Sequence, residues 1–547
     1  MEGVSANRVG ATLAAALTTM KKIPADPGSS IQHLNKKVMK IEKWILTISI
    51  LTIKLFGGAL SAQTDNKIMN EQYRPQVHFS PALNWTNDPN GMVYSNGIYH
   101  LFFQYHPFST VWGPMHWGHA TSSDMVHWTE QSVAIYPDSI GTIFSGSAVV
   151  DKNNTSGFGR DGKIPLVAIF TQHDSNGEKE GRNDYQNQSL AYSIDEGKTW
   201  IKYSGNPVLK NPGITDFRDP KVMWYESGKK WVMTLATKDH ITFYSSPDLK
   251  IWSKESEFGR EIGAHGGVWE CPDLFMMNDG GKKVWVLIVS LNPGGPNGGS
   301  ATQYFLGDFD GRTFTPSHTD TRWIDYGPDN YAGITWSNTF NRKIFLGWMS
   351  NWLYAQQVPT TKWRNAMTLP RELKLVHTSA NLFVSSSPVV ELSKIESRPA
   401  VVQNLKITQR IDIAKKIGKV NFPCRLDLDL EEIKDFSMVV SNDAGEEIVI
   451  GYDKTLKQYF IDRTKSGKID FQENFAGKHV APRLTGNGKM NISLIIDVSS
   501  VELFADNGLT VMTEIFFPNR PYDQIHIQSA TGAVIKKLKY SNLKSIW

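Results

Sequence analysis

Residues 89–105, PNGMVYSNGIYHLFFQY, contain two runs of aromatic and branched side chains joined by Ser-Asn-Gly, a pattern typical of a β-hairpin. The pattern returns in PKVMWYESGKKWVMTLA (220–236) and PDLFMMNDGGKKVWVLIVS (272–290), and with other turns at 146–172 and 334–350. The second strands of these five hairpins end 53 to 68 residues apart. A hairpin that recurs at this period indicates one repeated β-unit.

A shorter motif, a turn with Asp ahead of an aromatic residue, follows several of the hairpins. It occurs as SSDMVHW (122–128), SIDEGKTW (193–200), SSPDLKIW (245–252) and, less closely, GDFDGRTF (307–314). Each unit therefore contains about four short antiparallel strands. Radial repetition of such units predicts a five-bladed β-propeller over residues 70–382. A stacked sandwich is the structural alternative, and the regular repeat favours blades.

The sequence changes in character after about residue 397. Alternating strands with Lys-rich turns follow, such as GEEIVIGYD (445–453) and MNISLIIDVSSVELFADNG (490–508), without the hairpin repeat. They predict a C-terminal β-sandwich over residues 400–547. Residues 383–399, which contain SSSP and SRP, are predicted to be a linker. The expected fold class is all-β.

The N-terminal extension, residues 1–62, has a different composition. From Met39 the sequence MKIEKWILTISILTIKLFGGALSAQ begins with positive charge, continues with an apolar run over 44–56 and ends in small residues. This order is typical of a secretory signal peptide at 39–62, and the apolar run is short for a membrane span. An uncleaved anchor is the alternative. We expect an exported protein that is periplasmic, extracellular or held at the cell surface.

Composition and charge narrow the classes of function. The 547 residues are 40% hydrophobic and carry a formal charge of +4, as in an ordinary globular protein. Residues 1–62 contain eight Lys or Arg against three Asp or Glu, so the remainder carries a charge of about −1. That balance argues against nucleic acid, or a membrane for the mature form, as a partner. Cys271 and Cys424 are the two cysteines and provide neither a disulfide framework nor a Cys-based zinc site.

Three acidic residues occupy the same position relative to the repeated hairpins. Asp88 lies in NDP, Asp219 in RDP and Glu270 in ECP, each just before the first strand of a hairpin. A residue before proline is held extended, so Asp88 and Asp219 are expected at the entrance to a strand. The innermost strands of a propeller line its central channel. Acids at the same position relative to successive hairpins should therefore meet at one mouth of that channel.

Convergent carboxyl groups suit glycoside hydrolysis, in which one acid protonates the leaving oxygen and another attacks the anomeric carbon. In a retaining enzyme, the two reacting carboxyl groups lie about 5–5.5 Å apart. Aromatic residues that could pack against a sugar occur in nearby loops and inner strands: Trp85, Trp112, Trp117, Trp269, Trp336 and Trp352. His116 and His119 stand in an aromatic, strand-like run, so neither a metal nor a cofactor is expected.

Four ordered blocks carry a resemblance to a known family. NDPNG (87–91), FSGS (144–147), FRDPK (217–221) and WECPDLF (269–275) resemble signature blocks of glycosyl hydrolase family 32, the invertase–inulinase–levanase family. DRTKSG (462–467) and DVSSVELFADNG (497–508) resemble blocks of that family's sandwich domain. The resemblance covers about residues 73–547. It implies a five-bladed propeller followed by a β-sandwich, in agreement with the repeat pattern.

The resemblance also implies roles for individual residues. Asp88 would be the nucleophile that forms a covalent fructosyl-enzyme, Glu270 the acid/base and Asp219 the transition-state stabiliser. Further residues are expected to contact the terminal fructose or to border its pocket: Trp85, Asn87, Gln104, Trp112, Phe144, Ser145, Arg218, Cys271, Trp336 and Trp352.

Within the family, GTIFSGSAVVDKNNTSGF (141–158) and LGWMSNWLYAQQVPTTKWR (346–364) are most similar to bacterial levanases and exo-inulinases. The expected activity is release of terminal fructose from levan, inulin or sucrose with retention. An invertase or endo-levanase of the same family is an alternative. SIDEGKTW also fits the Asp-box turn of sialidases, which would need a six-bladed propeller. A non-catalytic glycan-binding propeller is the alternative from another class.

Overall fold

The computed structural model describes residues 68–379 and 381–547. The N-terminal extension, with its expected export signal at 39–62, lies outside these residues. Within the described chain, helix is confined to short pieces. They are α1 (Ser175–Lys179), α2 (Ala414–Ile417) and the 3₁₀ turns Ile68–Asn70, Glu226–Gly228 and Val390–Ile395. No helix of residues 68–379 and 381–547 is long and apolar enough to span a membrane.

Five antiparallel sheets follow one another over the described residues 84–388. Sheet 1 contains β1 (Asn84–Ser95), β2 (Ile98–His106), β3 (His116–Ser122) and β4 (Thr129–Ile135). Sheet 2 contains β5 (Thr142–Val150), β6 (Leu166–His173), β7 (Gln186–Ser193) and β8 (Ile201–Lys202). Sheet 3 contains β9 (Phe217–Tyr225), β10 (Lys230–Thr237), β11 (His240–Ser246) and β12 (Ser253–Phe258).

The remaining two sheets have additional short strands. Sheet 4 contains β13 (Val268–Asp279), β14 (Lys282–Asn292), β15 (Ala301–Phe309), β16 (Phe314–Pro316) and β17 (Arg322–Trp323). Sheet 5 contains β18 (Tyr331–Thr335) and β19 (Ile344–Met349). The next strand in the chain, β20 (Trp363–Arg364), belongs to sheet 1, where it pairs with β1. Sheet 5 is completed by β21 (Ala366–Met367), β22 (Arg371–His377) and β23 (Leu382–Pro388).

The first strands of the five sheets form a closed ring. β1 contacts β5, β5 contacts β9, β9 contacts β13, β13 contacts β18, and β18 contacts β1 again. Ser337, just after β18, completes the ring through a bridge to Val93 and a backbone hydrogen bond to the carbonyl oxygen of Met92 (3.0 Å). Five sheets around a central ring of first strands confirm the predicted five-bladed propeller.

The recurring Asp turns close the outer hairpins of the blades. Asp124 Oδ1 accepts hydrogen bonds from the backbone N–H groups of the second and third residues after it (3.0 and 2.9 Å). Asp248 and Asp310 accept the same pair of bonds, and Asp195 accepts one from the backbone of Thr199. An Asp side chain that satisfies its own turn explains why the motif repeats. These aspartates are structural.

The C-terminal domain is a sandwich of two sheets in the described chain, each with six strands. One sheet has the order β24 (Ala400–Ile407), β35 (Ala533–Asn542), β26 (Cys424–Leu430), β31 (Met490–Ile496), β32 (Ser500–Ala505) and β33 (Thr510–Ile515). The other has the order β25 (Arg410–Asp412), β34 (Gln524–Gln528), β27 (Phe436–Ser441), β28 (Glu447–Asp453), β29 (Gln458–Lys465) and β30 (Lys478–Pro482). Alternating inward residues form the core, as the sequence pattern predicted.

The structure corrects the predicted linker at 383–399. Residues 382–388 form β23, which pairs with β22 as the outer strand of sheet 5. The serines of SSSP are held by hydrogen bonds rather than by a turn, for example from the backbone N–H of Ser386 to the carbonyl oxygen of Gly508 (2.9 Å). The connection between the domains is therefore shorter and contains the 3₁₀ turn Val390–Ile395.

Buried ion pairs join the propeller to the sandwich. Arg371 of β22 binds Asp325 (2.8 Å) and Glu502 of β32 (2.9 Å), and all three side chains are essentially inaccessible to solvent. His78 lies between Asp497 (2.7 Å) and Glu502 (3.2 Å). Burial alone would lower the pKa of His78, but hydrogen bonds and charge from the two carboxylates raise it to about 9. The two domains therefore share a buried network of charged side chains at their interface.

Candidate active site

Each innermost strand contains an irregularity near its beginning. Register shifts occur between Thr86 and Pro89 in β1, Ile143 and Gly146 in β5, Glu270 and Asp273 in β13, and Tyr331 and Ile334 in β18; in β9 the shift lies between Arg218 and Lys221. A β-bulge bends its strand and re-aims a side chain. The propeller therefore has a ring of five bulges at one end of its channel, counted over the described strands.

The three acids come from these bulges. Asp88 lies in the bulge of β1 and Asp219 in that of β9, while Glu270 begins the bulge of β13. They lie within the first five residues of their strands rather than ahead of them. The expectation of one shared position is wrong for Glu270, because Cys271 precedes the proline in β13 as Asp88 and Asp219 do in β1 and β9. Asp219 and Cys271 have positive φ values of 63° and 46° instead of the extended backbone expected before proline, and L side chains rarely adopt such values. Strained backbone of this kind concentrates where side chains must be held in one orientation.

Asp88 is held by short hydrogen bonds. Asn87 Nδ2 donates to Oδ1 of Asp88 and Ser145 Oγ donates to Oδ2, both at 2.8 Å. Desolvation and the negative charge of Glu270 raise the pKa of Asp88, although the two hydrogen bonds lower it. The charge effect of Glu270 on Asp88 is that of a neighbouring carboxylate.

Asp219 is buried beside both Asp88 and Glu270. The backbone N–H of Cys271 donates to Asp219 Oδ2 (3.1 Å), and the Cys271 thiol lies 3.6 Å from Asp219 and 3.7 Å from Asp88. Burial raises the pKa of Asp219 to about 7; the charge of Arg218 opposes this, and the charges of Glu270 and Asp88 add to it. The Cys271 side chain thus separates two of the acids and contacts each.

Glu270 is oriented by one partner on each oxygen. Arg218 donates to Oε1 through Nε (3.2 Å) and Nη2 (2.8 Å), and the Tyr331 hydroxyl donates to Oε2. Arg218 also binds Asp216, so its guanidinium is fixed between two carboxylates. Tyr331 and Asp216 were not among the residues predicted from the sequence. Tyr331 is the first residue of the innermost strand of the fifth blade. The comparison of strand beginnings that identified the acids could therefore have identified Tyr331 as well.

Polar and aromatic residues surround the three acids. The Trp85 ring N–H donates to Asn87 Oδ1 (2.7 Å), and Trp85 stacks on Trp352 with ring centroids 5.9 Å apart. Gln104 is buried beside this strand, and its Nε2 has no hydrogen-bond partner in the described chain. A buried amide donor without a partner suits a site that binds a hydroxyl-rich ligand.

Phe144 and Trp112 form an aromatic wall beside Ser145. Phe144 precedes Ser145, stacks on His173 (4.3 Å) and is met edge-on by Trp112 (6.2 Å), which is 41% exposed. The predicted pocket residues on β1, β2 and β5 therefore lie around Asp88. An apolar wall with a few fixed polar groups is the usual composition of a small-ligand pocket.

The structure places Trp336 elsewhere. Its ring stacks on Trp128 (6.1 Å) and donates to the carbonyl oxygen of His100 (2.9 Å), toward the other end of β2. Trp336 is 2% exposed, so it is a core residue rather than a substrate contact. Its packing directly after the end of a short strand cannot be read from the sequence pattern.

The two histidines of MHWGH are also packed into the first blade. His119 stacks on Phe102 (4.3 Å) and hydrogen-bonds His100 (3.1 Å). His116 contacts the carbonyl oxygen of Pro114 through Nδ1 (3.0 Å). Over residues 68–379 and 381–547, no group of three or more His, Cys, Asp or Glu side chains is arranged to hold a metal ion.

Solved structures have the same fold. An exo-inulinase from Aspergillus awamori superposes with a TM-score of 0.80 at 36% identity, covering 88% of this chain and all of that one. A fructofuranosidase from Schwanniomyces occidentalis complexed with fructose gives a TM-score of 0.78 at 33% identity, covering 87% and 99% of the two chains.

Sequence comparison agrees with the structural one. A levanase from Bacillus subtilis is 46% identical over 521 residues, which are 93% of this chain and 76% of the relative. An extracellular exo-inulinase from Aspergillus niger is 40% identical over 520 residues, covering 87% and 96%. Residues 78–386 match the N-terminal domain of glycosyl hydrolases family 32, and residues 391–544 match the family's C-terminal domain. The chain belongs to glycosyl hydrolase family 32.

Proposed function

We propose that the chain is an exo-acting β-fructosidase that removes terminal β-D-fructofuranosyl residues from fructans, such as levan and inulin, and from sucrose, with retention. Membership of family 32 makes it a glycoside hydrolase that acts on fructosyl residues. One observation carries the proposal. Three carboxyl groups, from the first residues of β1, β9 and β13, meet at one end of the channel, in contact with Cys271 or Arg218.

In the first step of the proposed reaction, a carboxylate oxygen of Asp88 attacks the anomeric carbon of the fructosyl unit. The glycosidic C–O bond breaks as Glu270 gives its proton to the departing oxygen. Asp88 is suited to attack because Asn87 and Ser145 fix its carboxylate. Glu270 is suited to proton transfer because Arg218 and Tyr331 hold its two oxygens.

In the second step, Glu270 takes a proton from water as the water oxygen bonds to the anomeric carbon, and the ester bond to Asp88 breaks. Asp219 accepts hydrogen bonds from fructose hydroxyl groups in both steps. The mutual repulsion of the three acids favours retention of a proton within the cluster near neutral pH, as the raised pKa of Asp219 indicates.

The surroundings of Asp88 favour removal of a single terminal unit. Asn87, which is bonded to Trp85, and Ser145, which follows Phe144 and its contact with Trp112, both donate to Asp88. Aromatic rings next to both donors are expected to leave room for one sugar and its hydroxyl groups. An endo-acting enzyme would need a groove open at both ends.

Digestion of levan, inulin and sucrose, followed by chromatography at low conversion, tests the proposal. Fructose should be the main early product from the polymers, and proton NMR should show the β-anomer first. Asp88→Asn should abolish all three reactions. A ladder of short fructans would contradict the exo mode, and first release of the α-anomer would contradict retention.

We also propose that the protein is exported, with residues 39–62 as the removed signal. The support is the order of charged, apolar and small residues in that segment, together with the extracellular exo-inulinases among the relatives. Sequencing the N-terminus of the protein recovered from cell-free medium and from the periplasm tests this. A mature chain that begins shortly after Ala62 is expected, and a chain retained in the cytoplasm with residues 39–62 intact would contradict it.

A further inference from the structure

Exposed aromatic residues lie at the rim of the candidate active site. β2 ends at His106, opposite Trp85, and β3 begins at His116, so the loop 107–115 lies at the end of the first blade that carries Asp88. β4 ends at Ile135, opposite Trp117, which brings Tyr136 to the same end.

Two exposed rings, Phe108 and Tyr136, and the buried ring of His116 between them form what we call the rim cluster. Phe108 meets His116 edge-on (5.9 Å), and His116 meets Tyr136 edge-on (5.6 Å). Phe108 is 79% exposed and Tyr136 is 54% exposed. Large apolar rings that stay in water at a site entrance mark a binding surface more often than scattered exposed residues do.

The rim cluster is continuous with the pocket wall. His106 Nδ1 hydrogen-bonds the carbonyl oxygen of Val111 (2.8 Å), which fixes the loop that carries both Phe108 and Trp112. Trp112 in turn contacts Phe144, next to the serine that donates to Asp88. The exposed rings therefore extend outward from the wall around the first sugar.

The chemistry of the loop indicates a neutral ligand. Residues 107–115, PFSTVWGPM, contain no Asp, Glu, Lys or Arg. Ring faces pack against the apolar faces of sugars, and hydroxyl groups of Ser109 and Thr110 can exchange hydrogen bonds with a carbohydrate. The loop offers an anionic surface no cation to bind.

We propose that the rim cluster is a distal subsite that holds the fructan chain beyond the bond being cleaved. The inference rests on the proposed function, because the ligand is the remainder of the same polymer. The subsite would favour polymers over sucrose, since the glucose of sucrose ends before reaching the rim. Phe108 and Tyr136 would act on binding and not on bond cleavage.

The double variant Phe108→Ala/Tyr136→Ala tests this directly. We expect kcat/KM for the polymer that the wild type cleaves faster, levan or inulin, to fall by about 3–10-fold, mainly through KM. Sucrose hydrolysis should stay within twofold of the wild type. Phe340→Ala is the matched control, because Phe340 is 81% exposed but follows β18 at the opposite end of the propeller, beside Tyr94.

Any of three results would contradict the proposed subsite. The first is unchanged polymer hydrolysis in the double variant. The others are an equal loss of kcat/KM on sucrose and on the polymer, and the same loss on the polymer in Phe340→Ala. Thermal denaturation of each variant, measured in parallel, identifies loss through misfolding, and the single variants then replace the double one. A wild-type protein that releases no fructose from any of the substrates would instead refute the proposed function.

Discussion

At the scale of single residues, the site keeps three acids together at a cost in stability. Burial and the neighbouring carboxylates raise the pKa of Asp219 from its ordinary value to about 7, and that of Asp88 is raised too. When the pKa of a carboxyl group is higher in the folded than in the unfolded protein, its contribution to stability is fully present below the unfolded-state pKa. That contribution is lost as the pH rises through the folded-state pKa.

Asp219→Asn should therefore stabilise the protein in a pH-dependent way. The amide keeps an oxygen for the Cys271 backbone N–H but removes the charge. We expect the gain in free energy of unfolding to be on the order of 1–4 kcal/mol at pH 8 and close to zero near pH 4. Denaturant unfolding of both proteins at the two pH values measures it. A gain that is equal at both, or larger at pH 4, would contradict the electrostatic account.

At the scale of single elements, the bulges explain how ordinary strands present unusual side chains. Gly146 closes the bulge of β5, directly after Ser145. A Cβ atom at this glycine would stand 2.1 Å from the carbonyl oxygen of Ile169 and 2.6 Å from the Cα atom of Phe170. Those are backbone atoms of the neighbouring strand, so β5 and β6 would have to separate.

Gly146→Ala should lower both stability and turnover. We expect a loss of about 1–3 kcal/mol in the free energy of unfolding. Turnover should fall more than tenfold, because Ser145 then no longer holds Asp88. Gly486→Ala is the control, since a Cβ there meets nothing within 4 Å and its φ is not positive. Circular dichroism melting and fructose release measure the two effects. Full activity in Gly146→Ala would show that the bulge does not position the nucleophile.

Sequence patterns predicted the strands and turns better than they predicted the bulges within the strands. The hairpin repeat and the Asp turns predicted five blades because both depend on local turn chemistry. The positive φ of Asp219 and Cys271, which re-aims their side chains, depends on the neighbouring blades and has no local signal. The outer strand β23 was missed because its serines are satisfied by the sandwich, a contact across 120 residues or more.

At the scale of the whole molecule, buried ions hold the sandwich against the propeller. Arg371 is the centre of this interface, because it neutralises Asp325 and Glu502 from different domains. The sequence showed both domains but could not show which charges would meet between them. Removal of one partner from such a network leaves uncompensated charge in the interior.

Arg371→Met should therefore destabilise the protein by about 3–5 kcal/mol. Arg342→Met is the control, because Arg342 pairs with Glu391 and Glu372 in a partly exposed position and should cost no more than about 1 kcal/mol. Chemical denaturation followed by fluorescence compares the two. Equal, small losses would mean that the interface does not depend on the buried pair.

The central claim is that Asp88 attacks the sugar and Glu270 moves the proton. Glu270→Gln lacks the proton donor. An activated fructoside, whose leaving group departs without protonation, should therefore still react once with Asp88. Hydrolysis of the resulting fructosyl-enzyme should slow, because the general base is also gone. A burst of leaving group should appear, followed by a slow phase that azide accelerates because azide needs no base. Removing a positioned acid/base costs about 10²–10⁴-fold, so the two phases should separate clearly.

The most direct measurement is mass spectrometry of Glu270→Gln, acid-quenched during the slow phase and digested to peptides. The account predicts one fructosyl adduct, on the carboxyl group of Asp88, that disappears after azide treatment. An adduct on another residue, or a quenched enzyme without adduct in a reaction that shows no burst, would contradict it.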